Sequence, residues 1–523
     1  MNTIEPRGME YELKKITKEA GITFAGVLLG MGLKYICVIV IARHVGVHHF
    51  GAYMLGLTIL NFAQILSVAG LNYGVLRFVS VSHSQKERER MKGTIISALK
   101  LVLIGSLLVG MTIFIGAEVI ANKVFSKTEL SMVIRLLSLS LPFLAVIEIS
   151  VFSIQAIQTL KYKVYVKDVF LPVCNLAAVV VLFSIGLQIK GALYAYIISA
   201  VLSALLGIHY LKKKFPDIVN QEIRGVSAFR SLLRFSMPVI GMNILGFGMM
   251  WTDTLLLGRL MTTKDVGIYN AAARTALLIN VVLFSFSAIF MPMISDLYQR
   301  GDVKRLEGLF KTVTRWIFTI SFPVFLLMVI LSKQMMTLFG SEFTLGMPCF
   351  LILALAQMIN SSTGPAGNFL IMSGKQDIVF WDTALSFCMN IFLNYYLIIR
   401  YGVVGAAIAT TISLAVLNLT FLIEVYYFHK IFPYNLRLFK PFFAGVLAGL
   451  ISLLLFNPLS GNRVIYVIPL TIFIFILCYV IFFCITGFDQ EDRIISQAIL
   501  RRLVGCQELE VKEKPWKGNR TNS

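Results

Sequence analysis

Charge is scarce in this chain. Only 14% of its 523 residues are Asp, Glu, Lys or Arg, while 57% are hydrophobic and the mean hydropathy is +0.81. Soluble globular domains carry roughly one-quarter charged residues, so the deficit excludes that class and marks an integral membrane protein. Cysteine is also scarce and odd in number. Six of the seven sit in apolar stretches and Cys506 does not, which excludes a disulfide framework and makes the thiols small core residues. A phosphate-binding P-loop, a zinc-spaced His/Cys set and a Ser/His/Asp constellation are all lacking. His48 and His49 are adjacent but have no carboxylates near them in sequence. The expectation is therefore no cofactor, no metal, no enzymatic activity and no ATP bound to this chain as a power source.

What is present is a succession of long apolar runs. Hydropathy predicts an all-α polytopic membrane protein with spans near 22–43, 52–76, 97–120, 136–158, 168–188, 191–211, 236–258, 268–295, 313–334, 343–364, 377–399, 403–427, 441–457 and 464–486. Most of the 47 Lys and Arg fall in the segments on the same side as the N-terminus. The positive-inside rule then puts both termini in the cytoplasm. It also explains the net charge of +20 without a nucleic-acid partner. The first twenty residues mix Glu and Lys without a short apolar run ending at small residues, so the first span is expected to be retained. Residues 1–21 read as a cytoplasmic segment with a short surface helix, and 487–523 as a cytoplasmic amphipathic helix and tail.

An internal repeat organises the spans. A shift of 216 residues pairs Gly30 with Gly246, Gly32 with Gly248, Arg43 with Arg259, Gly51 with Gly267 and Tyr53 with Tyr269. A shift of 214 then pairs Lys161 with Lys375, Asp168 with Asp382, Cys174 with Cys388 and Gly191 with Gly405. The shift covers an even number of spans, so the halves share one orientation and are related by an axis along the membrane normal. The expected units are an N-lobe at 22–211, a cytoplasmic linker at 212–235 and a C-lobe at 236–427. Two further helices at 428–486 lie outside the repeat. Two parallel six-helix lobes around a central cleft are the usual plan of an alternating-access transporter, although such bundles also serve as channels, enzymes or scaffolds.

Ionisable groups inside spans are costly and normally face protein or a water-filled cavity. Lys34 lies mid-way in the first span and Asp253 in the seventh, and in the repeat frame Asp253 corresponds to Cys37, three residues from Lys34. The two charges are therefore expected to face each other across the cleft, as a gate or protonation-linked pair, or as a fixed ion pair between lobes. Glu148, with no sequence-local cation, is either a protonated core carboxyl or a group that titrates during transport. Arg274 stays charged, so its place in a span points to an anion. Asn61, Gln64, Asn243, Asn270 and Asn280 are either interhelical glue or partners for sugar hydroxyls, and Gln357 and Asn360 belong with them. Arg77 is either a headgroup contact at the cytoplasmic entrance or an ordinary interfacial anchor. The Gly30/Gly32 and Gly246/Gly248 pairs lie mid-span and suggest helix bending or close packing.

The run Trp251-Thr252-Asp253-Thr254-Leu255-Leu256-Leu257-Gly258-Arg259 is followed by Val266-Gly267-Ile268-Tyr269-Asn270-Ala271-Ala272-Ala273-Arg274. Together they resemble the middle signature of the polysaccharide transporter family, within the multidrug/oligosaccharidyl-lipid/polysaccharide exporter superfamily. Ala42-Arg43 and Phe50-Gly51-Ala52-Tyr53 look like the N-terminal version of that signature, and Gly374-Lys375 resembles the turn after the tenth span. The resemblance implies two six-helix lobes. It also implies transfer of a polyprenyl-phosphate- or diphosphate-linked oligosaccharide across the cytoplasmic membrane, coupled to protons or sodium ions or driven by cargo, in O-antigen or other polysaccharide biosynthesis.

On this reading Lys34, Arg274, Asn61, Gln64, Asn243, Asn270 and Asn280 line the substrate cleft. Asp253 and Glu148 couple or gate, and Arg77 meets the headgroup. The partners are the lipid-linked oligosaccharide, the lipid bilayer, a proton or sodium ion, and a polysaccharide polymerase or glycosyltransferases. Two alternatives stand beside it: a cation-coupled multidrug antiporter, for which the cavity carboxylates argue, and a non-transporting membrane scaffold of a polysaccharide assembly complex.

Overall fold

The computed structural model describes residues 6–157, 159–218, 220, 222–223, 225–459 and 464–485. No strand forms among the described residues. The first half contains α1 (Pro6–Val68), α2 (Leu71–Ser84), α3 (Arg88–Val119), α4 (Leu130–Ser138), α5 (Leu141–Gln155), α6 (Lys161–Lys163), α7 (Leu171–Ser184) and α8 (Ile189–Lys214). The second contains α9 (Phe229–Leu260), α10 (Thr263–Ala276), α11 (Asn280–Gln299), α12 (Val303–Ile330), α13 (Ser332–Thr337), α14 (Met347–Ser362), α15 (Ala366–Met372) and α16 (Gln376–His429). α17 (Phe439–Leu459) and α18 (Val464–Ile485) complete it.

Among the described residues, nine helices are long and apolar enough to cross a membrane, or ten with α4 and α5 taken as one span bent by 42°. Two are too long for one crossing. The 54 residues of α16 would make a straight rod of about 80 Å, against a hydrocarbon core of about 30 Å. It breaks at Gly402 (φ 57°, ψ −131°), and α1 breaks at Gly46 (φ 78°, ψ 167°). Positive φ is free only for glycine, so these two positions turn each long helix into two crossings. Spans one and two of the hydropathy reading, and spans eleven and twelve, are these folded pairs.

The boundaries differ from expectation in two places. The linker is shorter than 212–235, because α8 runs through Lys212, Lys213 and Lys214 and α9 already begins at Phe229. A lysine run is stabilised on the last turn of a helix, where the free carbonyls carry negative partial charge. At the N-terminus, α1 continues from Pro6 into the first span without a break before Gly46, so the leader is not a separate surface helix. The helix and tail expected at 487–523 lie outside the described residues.

The buried apolar residues show how the lobes meet. One cluster joins them: Phe50, Met54 and Leu55 of α1 pack with Tyr269 of α10, Phe339, Phe343 and Phe350. At the opposite end there are two separate clusters. One is built around Val75, Ile95 and Ile149 and takes in Leu232 of α9, the other around Phe290, Phe310 and Phe369. The lobes thus share one continuous core at one end, while at the other the start of α9 packs on α2 through Leu232 and Phe235 and the two clusters stay separate.

Glycines make the fused end possible. A Cβ on Gly51 would lie 1.7 Å from the Thr263 carbonyl oxygen, and one on Gly267 would lie 2.3 Å from the Val47 carbonyl oxygen. Under the 216-residue shift Gly51 is equivalent to Gly267, and Val47 to Thr263. The contact is reciprocal, as at an isologous interface, so the repeat axis passes between the two glycines. In lipid, apolar surface gives little drive for helix association, and close backbone approach through small residues takes its place.

Candidate functional site

Between the lobes the helices enclose three connected groups of residues, and Trp251 of α9 lines all three. The N-lobe chamber, of about 380 Å³, is walled by α1, α5 and α7 and collects the intramembrane charges. Here Val164–Phe170 form a π-helical segment leading into α7, a form that concentrates at functional sites because it re-aims side chains. It presents Lys167 and Asp168 to the chamber wall. Lys167 forms an ion pair with Glu148 of α5, and Lys34 of α1 lies 3.7 Å from Asp168. Gln64 donates to Glu148 at 3.5 Å. Gly30 lets α1 approach this segment, since a Cβ there would stand 1.9 Å from the Asp168 carbonyl oxygen.

The two ion pairs differ in character. Glu148 is 10% exposed and held closely by Lys167, whereas the Lys34 side chain is 50% exposed and its pairing is long. Lys34 is therefore the less firmly held of the two lysines. Arg274 of α10 is half-buried, with its guanidinium 4.6 Å above the Trp251 ring. Among the described residues it has no carboxylate partner, so it is an uncompensated cation where the N-lobe and C-lobe chambers meet.

The C-lobe chamber, of about 250 Å³, is built around Asp253. This carboxylate is 4% exposed and accepts hydrogen bonds from the Tyr269 hydroxyl, from Thr410 at 2.7 Å and from Asn394 at 2.7 Å. A buried carboxylate is tolerated when such donors replace water. A second polar knot ties α11 to α14: Asn280 donates to Gln357, and Asn360 donates back to Asn280 at 3.2 Å. Asn270 donates to the Val266 carbonyl and pairs with Thr254. Asn270 and Asn280 are thus bonded between or along helices, while their side chains still border the chamber.

Several expectations need correction. Lys34 and Asp253 do not pair: Lys34 answers Asp168 within the N-lobe, and Asp253 is satisfied within the C-lobe. Their helices are equivalent, but each charge turned to donors or acceptors in its own lobe at shorter range. Glu148 does have a cation, Lys167, brought from 19 residues away by the return of the next span. Arg77 is exposed and stacks on Phe235 at 4.9 Å, and it lines none of the three chambers. Asn61, Gln64 and Asn243 do line the cleft, in the third chamber of about 320 Å³. Of the four mid-span glycines, Gly30 and Gly248 are close-packed, Gly248 against Phe387, while Gly32 and Gly246 face open space. Lys167, Asn394 and Thr410 were not singled out from the sequence.

The fused end is sealed by polar contacts as well as by glycines. Lys127, in the loop between α3 and α4, donates to the carbonyls of Gly258 at 2.5 Å and Met261 at 2.8 Å, capping the C-terminus of α9. Burial lowers its pKa, partly opposed by Glu129 nearby. Arg259 donates to Ser126 at 3.0 Å, and Thr263 donates to Glu129 at 3.0 Å.

Two like-oriented helical lobes, sealed at one end around a polar cleft at membrane depth, define a member of the multidrug/oligosaccharidyl-lipid/polysaccharide exporter superfamily. Residues 16–298 match the family described as "Polysaccharide biosynthesis protein", and the chain belongs to that family. Residues 238–396 also match the MatE family. The chain is 23% identical over 400 residues to the "Probable low-salt glycan biosynthesis flippase Agl15" of Haloferax volcanii, covering 75% of this chain and 80% of that protein. It is 21% identical over 454 residues to the "Lipopolysaccharide biosynthesis protein WzxC" of Escherichia coli, covering 83% and 86%. Among solved structures, the inward closed conformation of the lipid II flippase MurJ superposes with a TM-score of 0.71 at 16% identity, covering 92% of this chain and 99% of that one. An inward-facing transporter of the MATE family gives 0.66 at 17% identity, covering 79% and 98%. These likenesses establish the fold.

Proposed function

We propose that this protein is a flippase, not an enzyme, which moves a polyprenyl-(di)phosphate-linked oligosaccharide across the cytoplasmic membrane by alternating access. The names of its relatives, Agl15 and WzxC among them, support glycan biosynthesis as the setting. The observation that carries the reading is Arg274: an unpaired guanidinium between two chambers, with the loosely paired Lys34 in the same cavity. A phosphate brought into the cleft loses water. Two opposite unit charges 4 Å apart recover about 4 kcal/mol at an effective dielectric constant of 20, so two cations offset a substantial part of that loss. Lys167 is committed to Glu148 and serves to keep that carboxylate from repelling the cargo.

In this scheme both termini are cytoplasmic and the cleft faces the cytoplasm while Gly51 and Gly267 close the outer end. The lipid-linked oligosaccharide enters with its chain in the bilayer, and the lobes then rock to open the outer end. Asp253 is the coupling carboxylate for a proton or sodium ion, and a polysaccharide polymerase or glycosyltransferase receives or supplies the cargo. The caged carboxylate also favours a second reading, a cation-coupled antiporter, because its lobe is the part of the chain that matches the MatE family.

The test is translocation of a polyprenyl-diphosphate-linked oligosaccharide in proteoliposomes, read with an external sugar-modifying probe, with and without a pH or sodium gradient. Native protein is expected to flip the lipid, and Arg274→Ala to lose at least about tenfold in rate, the weight of a single charge-assisted contact. Export of an organic cation without lipid movement would instead establish the antiporter.

A further inference from the structure

The third chamber has a chemistry unlike its neighbours. It lies between α1, α2, α5 and α9, and no Lys or Arg lines it. Its one charged group is Glu148, already engaged by Lys167. Phosphate is therefore disfavoured there, while the remaining surface is aromatic and amide. Phe247 and Trp251 line it with ring centroids 6.3 Å apart and rings inclined by only 22°, and Phe62, outside the lining, backs Phe247 at 5.3 Å. The Arg274 guanidinium over the indole fixes the orientation of that ring.

Two amides flank these rings. Asn72 of α2 lines the chamber, and its Oδ1 atom is buried and accepts no hydrogen bond, a costly state that a turn of the amide towards a ligand donor would relieve. Asn243, across the chamber on α9, has no protein partner among the described residues. Between them Gly246 opens the wall: a Cβ there would meet nothing within 4 Å. Its repeat equivalent Gly30 is packed against backbone, so the space at Gly246 is a property of this chamber and not of the duplicated motif. The volume of about 320 Å³ lies within the range of small-molecule sites.

We propose that this chamber is the glycan subsite of the cleft. It takes a neutral sugar ring stacked on Trp251 and Phe247, with Asn72 and Asn243 binding its hydroxyl or acetamido groups. The phosphate then lies in the adjoining N-lobe chamber, against Lys34 and Arg274. Glu148 on the wall disfavours an acidic sugar at this position. The proposal rests on the flippase reading and adds the chemical class of the sugar and the side of Trp251 on which it sits.

The experiment uses the full chain in nanodiscs and three radiolabelled probes: bare polyprenyl diphosphate, the same lipid carrying a neutral disaccharide, and the same lipid carrying a uronic-acid disaccharide. Native protein is expected to bind the neutral glycolipid about tenfold more tightly than the other two, the scale of one aromatic stack with its hydrogen bonds. Gly246→Leu, which puts an apolar side chain where a Cβ has room, is expected to abolish that preference and to leave bare-lipid affinity within about twofold. Trp251→Leu is expected to abolish it too, with some loss for every probe because Arg274 loses its platform. Parallel losses for all probes in Gly246→Leu, or an unchanged preference in both variants, would overturn the glycan subsite while leaving the flippase reading intact. Failure of native protein to bind any probe would remove both.

Discussion

Gly51 and Gly267 meet backbone to backbone at the outer end of the molecule, and they are the same position of a duplicated sequence. Equivalent residues touch only on the symmetry axis, so the axis of the repeat runs through this contact.

That contact is sensitive to a single methyl group. Gly51→Ala places carbon 1.7 Å from a carbonyl oxygen that belongs to the backbone and cannot rotate away. The sealed end is expected to gape: labelling of the buried position Val47→Cys by an impermeant maleimide should rise, and flipping should fall at least about tenfold. Gly32→Ala, in open space on the same helix, is the control and should leave both near native levels.

Lys127 closes the same end by another means. Lys127→Met removes a cation from the C-terminus of α9, and charged hydrogen bonds of this kind contribute about 1.5–3 kcal/mol when well buried; this lysine is partly exposed, so the lower end applies. Spin labels at His48 and Ser341 should report a broader outer mouth in Lys127→Met. Lys127→Arg should restore part of the native distance distribution.

Asp253 is bonded as an acceptor on every side the structure describes. Asp253→Asn turns one oxygen into a donor aimed at other donors, Thr410 and Tyr269 or Asn394. The expected cost is about 1–3 kcal/mol for the buried group left unpaired, visible as a lower Tm in detergent. Dependence of flipping on an ion gradient should vanish. Retained gradient dependence in a folded Asp253→Asn protein would move coupling elsewhere.

Glu148 and Lys167 should behave as a unit. Removing one partner leaves the other buried and uncompensated, so Glu148→Gln and Lys167→Met are each expected to destabilise by about 1–3 kcal/mol, less than a fully buried pair because Lys167 is 37% exposed. The double variant should recover much of the loss. Additive losses in thermal unfolding would show that the pair has no coupling.

The all-α membrane fold and the positions of four intramembrane charges, Lys34, Glu148, Asp253 and Arg274, were legible in the sequence, because apolar runs and the charges that interrupt them are local properties. The partners of those charges were not. Lys167 and Asp168 mark the edge of an apolar run, and a hydropathy window therefore reads them as the start of a span; only the π-helical segment brings them to face α1 and α5. Asn394 and Thr410 look like ordinary interhelical amides and hydroxyls until helices on opposite sides of Gly402 fold back and aim both at Asp253. The expectation of a Lys34–Asp253 pair assumed that equivalent helices present equivalent faces to each other. The lobes instead diverged in content: Tyr269 holds a carboxylate, whereas the position equivalent to that carboxylate in the N-lobe is the buried thiol of Cys37.

Arg274 borders both the N-lobe chamber and the chamber of Asp253, resting on the one indole that all three chambers share. A positive ion admitted beside Asp253 repels that guanidinium, and an anion beside Lys34 attracts it. Under the proposed scheme the two occupants would change each other's affinity through this side chain, each by the same factor by thermodynamic reciprocity, and part of the exchange between cargo and coupling ion would run through one cation with two neighbours.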